Sequence, residues 1–286
     1  MKKAFALILI ISTFTGFSQK ISNKLHFQKG QNLEVTTKTN ATSSMEMMGQ
    51  SMQTTVTSIV TQNFSVTDAN NNVATIDHKT KRIQFKADAM GQSQEFDSDK
   101  PEDLKGDVGK SLQPALDKKY TMSVDQKGVV ISVKADTGTT IKPDDPMVSM
   151  LLGQLNISTE VPKVGDATLF RILPDHDISK GESWTDSSSA DSGKKKTTYT
   201  VTDINNKEVD LDFTEESSLN TTQQIMGFDA KIKTESKGNG KIILDKSTGL
   251  LKQKTANIES KQTVEAQGQS IPSTSKMTIV TTVEKS

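Results

Sequence analysis

From residue 33 onward, apolar or threonine positions alternate with polar ones at a period of two. Leu33, Val35, Thr37, Thr39, Ala41, Met45 and Met47 fall on one side, against Glu34, Thr36, Lys38, Asn40, Thr42, Ser44 and Glu46 on the other. The next run repeats the pattern with Met52, Thr54, Val56, Ser58, Val60, Phe64 and Val66. Successive side chains of a strand point to opposite faces, so this spacing predicts a long half-buried hairpin. Its reversal falls at Met48-Gly49-Gln50-Ser51, where glycine suits a tight turn. Similar runs follow at Val209-Leu211-Phe213, Phe228-Ala230-Ile232, Gly240-Ile242-Leu244 and Met277-Ile279-Thr281-Val283.

An internal repeat organises these strands. Phe64-Ser65-Val66-Thr67-Asp68-Ala69-Asn70-Asn71-Asn72 matches Tyr199-Thr200-Val201-Thr202-Asp203-Ile204-Asn205-Asn206-Lys207. Upstream, Lys29-Gly30-Gln31 parallels Lys180-Gly181-Glu182. Downstream, Val124-Asp125 leads to Gly128-Val129 as Leu244-Asp245 leads to Gly249-Leu250. Aspartate opens and glycine closes each of these last turns. The offsets drift, which indicates an old duplication with divergent loops. Two related β-units, 19–160 and 161–286, are expected after a leader at 1–18.

The stretch between the repeats differs in kind. Asp99-Lys100-Pro101-Glu102-Asp103 reads as a helix start, and Leu104, Val108, Leu112 and Leu116 follow at helical spacing. Gly106, Gly109 and Pro114 predict that this helix, 101–116, is weak or broken. A second start at Asp145-Pro146 precedes Met147, Val148, Met150, Leu151, Leu152 and Leu155. A helix at 145–155 would be apolar nearly all round and would need a groove or core to occupy.

The N-terminus changes the picture of where such a sheet works. Lys2 and Lys3 precede an apolar run from Ala4 to Ile11, with small residues at Gly16 and Ser18 before Gln19. That is the layout of a cleavable signal peptide, and the run is too short to span a bilayer. Export is the expectation, to the periplasm first, with secretion or surface association as alternatives. No integral membrane segment is expected after cleavage. With no cysteine, disulfides, thiolate chemistry and cysteine-held metals are excluded. The 35 basic and 35 acidic residues balance, which argues against nucleic acid as a partner.

Catalytic patterns are not found. His26, His78 and His176 form no spaced pair, and Asp175-His176-Asp177 reads best as a solvated turn. Asp68, Asn70 and Asn72 imitate a calcium loop, but Val73 and Lys79 stand where glycine and a bidentate glutamate belong. No serine elbow and no phosphate-cradling glycine loop is present. The methionines Met45, Met47, Met48, Met52 and Met90 cluster near the hairpin ends and are read as packing.

At Met48-Gly49-Gln50, Val66-Thr67-Asp68 and Glu95-Phe96-Asp97-Ser98-Asp99, the chain resembles a family of exported bacterial β-proteins known only as a domain of unknown function. The resemblance implies an envelope protein and supplies no catalytic residues. In architecture, long antiparallel strands with helices between them are also similar to the open β-barrels of periplasmic lipoprotein carriers. The fold expected is therefore mainly β. Two antiparallel units would form an open or half-closed barrel or curved sheets, with one or two short helices between the repeats. The function expected is non-catalytic binding of an apolar or amphiphilic, lipid-like ligand, without metal or cofactor. The alternative is a structural or interaction module for another envelope protein. The residues chosen for ligand contact are Met147, Met150, Leu151 and Leu152 on the apolar helix, with Val56 and Val60 on the sheet.

Overall fold

The structure is a computed structural model and describes residues 20–47, 50–89, 91–135, 161–190, 192–225, 228–266 and 269–285. The expected signal at 1–18, the Met48–Gly49 reversal and the apolar segment 145–155 lie outside the described residues. The first half holds β1 (Asn32–Met47), β2 (Gln50–Asn70), β3 (Val73–Ala89), β4 (Gln92–Asp97), α1 (Pro101–Lys105), α2 (Asp107–Asp117), β5 (Lys119–Asp125) and β6 (Val130–Ala135). The second holds β7 (Ser183–Ala190), β8 (Gly193–Ile204), β9 (Glu208–Ile225), β10 (Phe228–Asp245), β11 (Leu251–Ala266) and β12 (Gln269–Lys285).

All twelve strands join one antiparallel sheet in the order β6-β5-β3-β2-β1-β12-β11-β10-β9-β8-β7, with β4 beside the far end of β3. The sheet does not close into a barrel; β6 and β7 are its edges. β12 is the seam. It pairs β1 from Leu33↔Lys285 to Met45↔Ser273 and pairs β11 on its other side. On either side of it, β1-β2-β3-β5-β6 and β7-β8-β9-β10-β11 repeat the same sequence of strands in the same direction along the sheet.

The duplication is visible atom by atom. Gly30 N–H donates to the Val66 carbonyl and Val66 N–H to that of Gln31, as Gly181 does to Val201 and Val201 to Glu182. Lys29 pairs with Asp68 at 3.7 Å and Lys180 with Asp203 at 2.6 Å. Ladder irregularities recur at Val66/Asp68 and Val201/Asp203, and at Ser123/Val124 and Ile243/Leu244. The loops that imitate calcium sites are turns in both copies. Asn71 and Asn72 take positive φ in a two-residue hairpin loop, and Asn205 accepts from the N–H of Lys207 and Glu208.

One face of the sheet carries the core. Leu33, Val35, Phe64, Val66 and Ile76 of the first unit join Val201, Leu211, Ile242 and Leu244 of the second in a single cluster. The two units share it because 20–31 and 161–182 run across both. Ile21 and Ile178 exchange N–H···O bonds of 2.9 and 3.0 Å. Leu25 N–H donates to Gln126 in the β5–β6 turn, and His26 N–H to Thr248 in the equivalent β10–β11 turn. Gly128 and Gly249 occupy the same place in those turns at φ +80° and +69°, and a Cβ on either would meet Leu25. Only glycine serves both demands.

The opposite face is hydrated and laced with ion pairs such as Lys81–Glu34, Lys86–Glu95, Lys252–Glu208 and Lys276–Glu259. The expected helix of 101–116 is present and is broken at Gly106, whose extended backbone (φ −69°, ψ 169°) separates α1 from α2. Leu112 and Ala115 of α2 bury against Val56, Val60, Ile83, Phe85 and Phe96 in a second cluster. The Phe-Asp-Ser motif anchors this layer. Arg82 grips Asp97 through Nε (3.1 Å) and a second nitrogen (2.6 Å), and Ile83 and Ser98 bond each other's backbone and hydroxyl.

Hydrogen bonds from Arg82 hold the Asp97 carboxyl below its ordinary range against the opposing cost of burial. The pair therefore stabilises the fold above the unfolded carboxylate pKa and is lost as pH falls through the folded one. Arg82 is 36% exposed, so solvent screening discounts the pair. Asp97→Ala is expected to cost about 1–2 kcal/mol near neutral pH in urea unfolding. An unchanged midpoint would show the motif to be idle.

Gly240 on β10 sits against the Thr255 carbonyl, and a Cβ there would also come within 2.8 Å of the Phe213 ring. Gly240→Ala forces two central strands apart and is expected to cost about 2 kcal/mol. The same unfolding experiment with unaltered stability would refute this.

Candidate functional site

Among the buried side chains with an unpartnered polar atom is His78. On β3 it stands opposite Phe64 of β2 and Tyr120 of β5, and strand alternation turns all three rings to the core face. The imidazole is 3% exposed, stacked on Tyr120 at 4.4 Å and 16°, and edge-on to Phe64 at 4.9 Å. Its Nδ1 has no hydrogen-bond partner. A buried polar atom left unpaired costs about 1–3 kcal/mol, so such a group calls for an explanation. Burial, and then the nearby charge of Lys118, push the imidazole down to about 3, so it is neutral at ordinary pH.

Lys118 ends α2 at the start of β5 and is 5% exposed, its ammonium 5.8 Å from the Tyr120 ring centroid. Burial pushes the Tyr120 hydroxyl above its usual range. Gln62, one alternation along β2 from Phe64, completes the polar set. These four residues line a cavity of about 490 Å³ with Phe64 and Met122 on the sheet and Val161, Pro162 and Leu169 on the crossing segment. Its acid, Asp166, accepts the Lys163 N–H at 2.7 Å. The cavity lies within the volume range of small-molecule sites and has their makeup, apolar walls with a few convergent polar groups. Behind the wall residue Phe64, Phe170 packs edge-on against it at 5.7 Å and against Phe27 at 5.5 Å.

The second unit carries no copy of this arrangement. By strand register, Phe64, His78 and Tyr120 correspond to Tyr199, Phe213 and Gly240. There the space above Phe213 is taken by Lys254, whose ammonium lies 4.7 Å from the ring centroid.

Of the residues chosen from sequence, Met147, Met150, Leu151 and Leu152 lie outside the described residues. Val56 and Val60 are 2% and 5% exposed in the cluster beneath α2, and neither lines the cavity. His176 is exposed and bonds Glu182 at 2.7 Å, with Ser179 N–H donating to the other oxygen; it orders a turn. Among the described residues no group of three His, Asp or Glu side chains is placed to hold a metal ion. Nor is any described helix long and apolar enough to cross a membrane. A lone histidine in an alternating strand has no local mark, so nothing in the sequence around His78 signals its burial. The repeat held the clue, since the second copy has phenylalanine at that position.

Comparison with known proteins places the chain. The model of a family described as "Family of unknown function (DUF6263)" matches residues 71–251. The chain belongs to this family. A search of curated proteins finds no match. Among solved structures, the family member resembles a lipovitellin structure titled for its lipid–protein interactions, at a TM-score of 0.52 and 14% identity. The alignment covers 91% of this chain and 25% of that one, so the chain spans a quarter of its length. An outer-membrane channel from Pseudomonas putida F1 aligns over 91% of this chain and 98% of its own at a TM-score of 0.23 and 6% identity. The translocator domain of autotransporter NalP from Neisseria meningitidis aligns over 90% and 89% at 0.21 and 6% identity. Of these three, the lipovitellin likeness reaches the level of a shared fold.

Proposed function

We propose that this protein is a non-catalytic binding module of the bacterial envelope for an apolar or amphiphilic ligand. The observation that carries the reading is the cavity at His78, in which apolar walls and a few polar groups converge on the core face. One further point supports it. The fold is like that of lipovitellin, a protein whose structure is titled for lipid–protein interactions. The leader-like N-terminus supports the envelope as its place of work.

Native mass spectrometry of the mature protein, followed by solvent extraction, tests the reading. A co-purifying lipid is expected, and Leu169→Glu, which puts a charge on the cavity wall, should reduce its occupancy at least severalfold. A clean apo mass, together with no uptake of added oleate or phospholipid, would refute the proposal. The second reading, an interaction module, has its own observation in β7, whose outer edge no other described strand pairs, since exposed edges can accept a partner strand. Capture of an envelope protein abolished by proline at Thr185 of β7 would favour it.

A further inference from the structure

We infer that three lysines on the face of β3, β5 and β6 turned away from the core form a subsite for a phosphomonoester, borne by a free phosphate compound or by a lipid head group. The inference goes beyond the apolar cavity, which lies on the other face of these strands, and stands independently of it.

Strand alternation turns the neighbours of His78, Tyr120 and Ala135 to that outer face. They are Lys79, Lys119 and Lys134, and all three are exposed. Lys79 and Lys119 stand directly opposite each other across β3 and β5, and Lys134 lies diagonally beyond, opposite Thr121. Like charges set opposite one another destabilise a sheet. Among the described residues none of the three has an ion-pair partner. The acids close by have partners of their own. Asp77 accepts the Thr121 hydroxyl at 2.7 Å, Glu34 pairs with Lys81, and Asp117 accepts from Gln113 at 3.0 Å.

The duplication shows that the fold does not ask for these charges. Asn63, Lys79 and Lys119 hold the register of Thr198, Thr214 and Asn239 in the second unit, and Lys134 that of Thr255. Lys241, which replaces Thr121 there, faces Asp212. The second unit thus builds the same patch from neutral residues and a balanced pair. Protection of a sheet edge accounts for a lysine on β6, at the end of the strand order, and not for two on β3 and β5.

The three lysines line a depression of about 390 Å³ together with Asn63, Ser65, Asp77 and Thr121. Ammonium, hydroxyl and amide groups all donate hydrogen bonds. Three cations against one carboxylate leave two positive charges in excess. That surplus matches a phosphomonoester, which carries about −1.5 to −2 near neutral pH. A carboxylate or a phosphodiester brings a single charge and leaves part of the repulsion between the lysines in place.

The test is calorimetric titration of the full mature chain with inorganic phosphate and with acetate at low ionic strength and pH 7.5. Sedimentation with phosphatidylcholine vesicles carrying phosphatidate or phosphatidylglycerol accompanies it. Phosphate should bind at least about tenfold more tightly than acetate. Lys79→Thr and Lys119→Asn, which install the residues of the second unit, should each weaken phosphate binding about three- to tenfold. Their melting temperatures should hold or rise, because repulsion is relieved. Lys231→Gln, at an exposed lysine on the same face of the second unit, should leave binding unchanged. Phosphate binding with a preference for phosphatidate vesicles would support the subsite and assign it to a lipid head group. Phosphate binding without vesicle binding would support it and assign it to a free phosphate compound. Equal sedimentation with phosphatidate and phosphatidylglycerol, reduced as much by Lys231→Gln as by the cluster variants, would reduce the patch to general surface charge and overturn the inference. So would a failure to bind phosphate in any form, or phosphate binding left intact by both cluster variants. Tighter binding of a DNA duplex than of phosphate or phosphatidate would overturn it in favour of a nucleic-acid surface. The proposed apolar function is read separately, from extracted lipid and Leu169→Glu, so either can fail without the other.

Discussion

Phe170→Ala is expected to remove about 3–5 kcal/mol of stability, the cost of emptying a fully buried phenylalanine position. Phe170 is 0% exposed and lies on the segment that crosses both units. Its ring meets Phe27 at 83° and Phe64 at 81°, so one side chain joins the N-terminal segment, the crossing segment and β2. Those neighbours are held by backbone bonds such as Ile21–Ile178 and Leu25–Gln126 and cannot collapse freely into the void. The cavity should therefore persist, which is the condition for the upper part of the range. Urea unfolding followed by circular dichroism measures it. A loss below about 1 kcal/mol would mean that the crossing segment is not part of the cooperative core. Because Leu169 beside it walls the candidate site, the same variant should also lose retained ligand.

The second large effect is on pH dependence. Between pH 6.5 and 4.5 the wild-type protein should lose about 2.5 kcal/mol of stability that a His78→Phe variant keeps. The imidazole has a folded pKa of about 3 against its ordinary value of 6.5, through burial first and Lys118 second. In that window the unfolded chain takes up a proton and the folded chain does not, so stability rises with pH and falls on acidification. The contribution is complete above 6.5 and is lost progressively toward 3. Stopping at pH 4.5 keeps the Asp97–Arg82 pair out of the measurement, since that pair is lost only at carboxylate pKa values. Paired urea titrations at pH 7.5, 6.0 and 4.5 decide the matter. Parallel pH slopes for the two proteins would mean that His78 is solvated and that the site is not built as described. Near neutral pH the variant should be slightly the more stable, because an unpartnered buried nitrogen has been removed.

Much of the fold is legible from local pattern. The alternation at Leu33–Ala41 and Val56–Val66 separates the two faces of β1 and β2, which face is inside being decided by burial, and Gly106 marks the break between α1 and α2. The repeat is also readable, down to the aspartate–glycine turns at Asp125 and Asp245. The seam is not. Nothing near Met277–Val283 says that this run pairs with residues 33–45 on one side and with β11 on the other. That choice depends on burying both units and both crossing segments against one another.

The site follows the same division. Apolar character drew attention to Met147–Leu152, whereas the described structure draws it to His78, Lys118, Tyr120 and Gln62, which are polar residues in ordinary strand positions. Their burial is a consequence of register, and only once Phe64, His78 and Tyr120 are seen in one row does the contrast with Tyr199, Phe213 and Gly240 appear.

By itself, then, the sequence determined the strand period, the duplication, the helix break and the turns. Each depends on neighbouring residues obeying backbone geometry. Tertiary structure alone decided that β12 joins the halves into one open sheet and that a histidine is buried beside a lysine with its Nδ1 unpartnered. Both are set by long-range burial and register, which no single strand encodes.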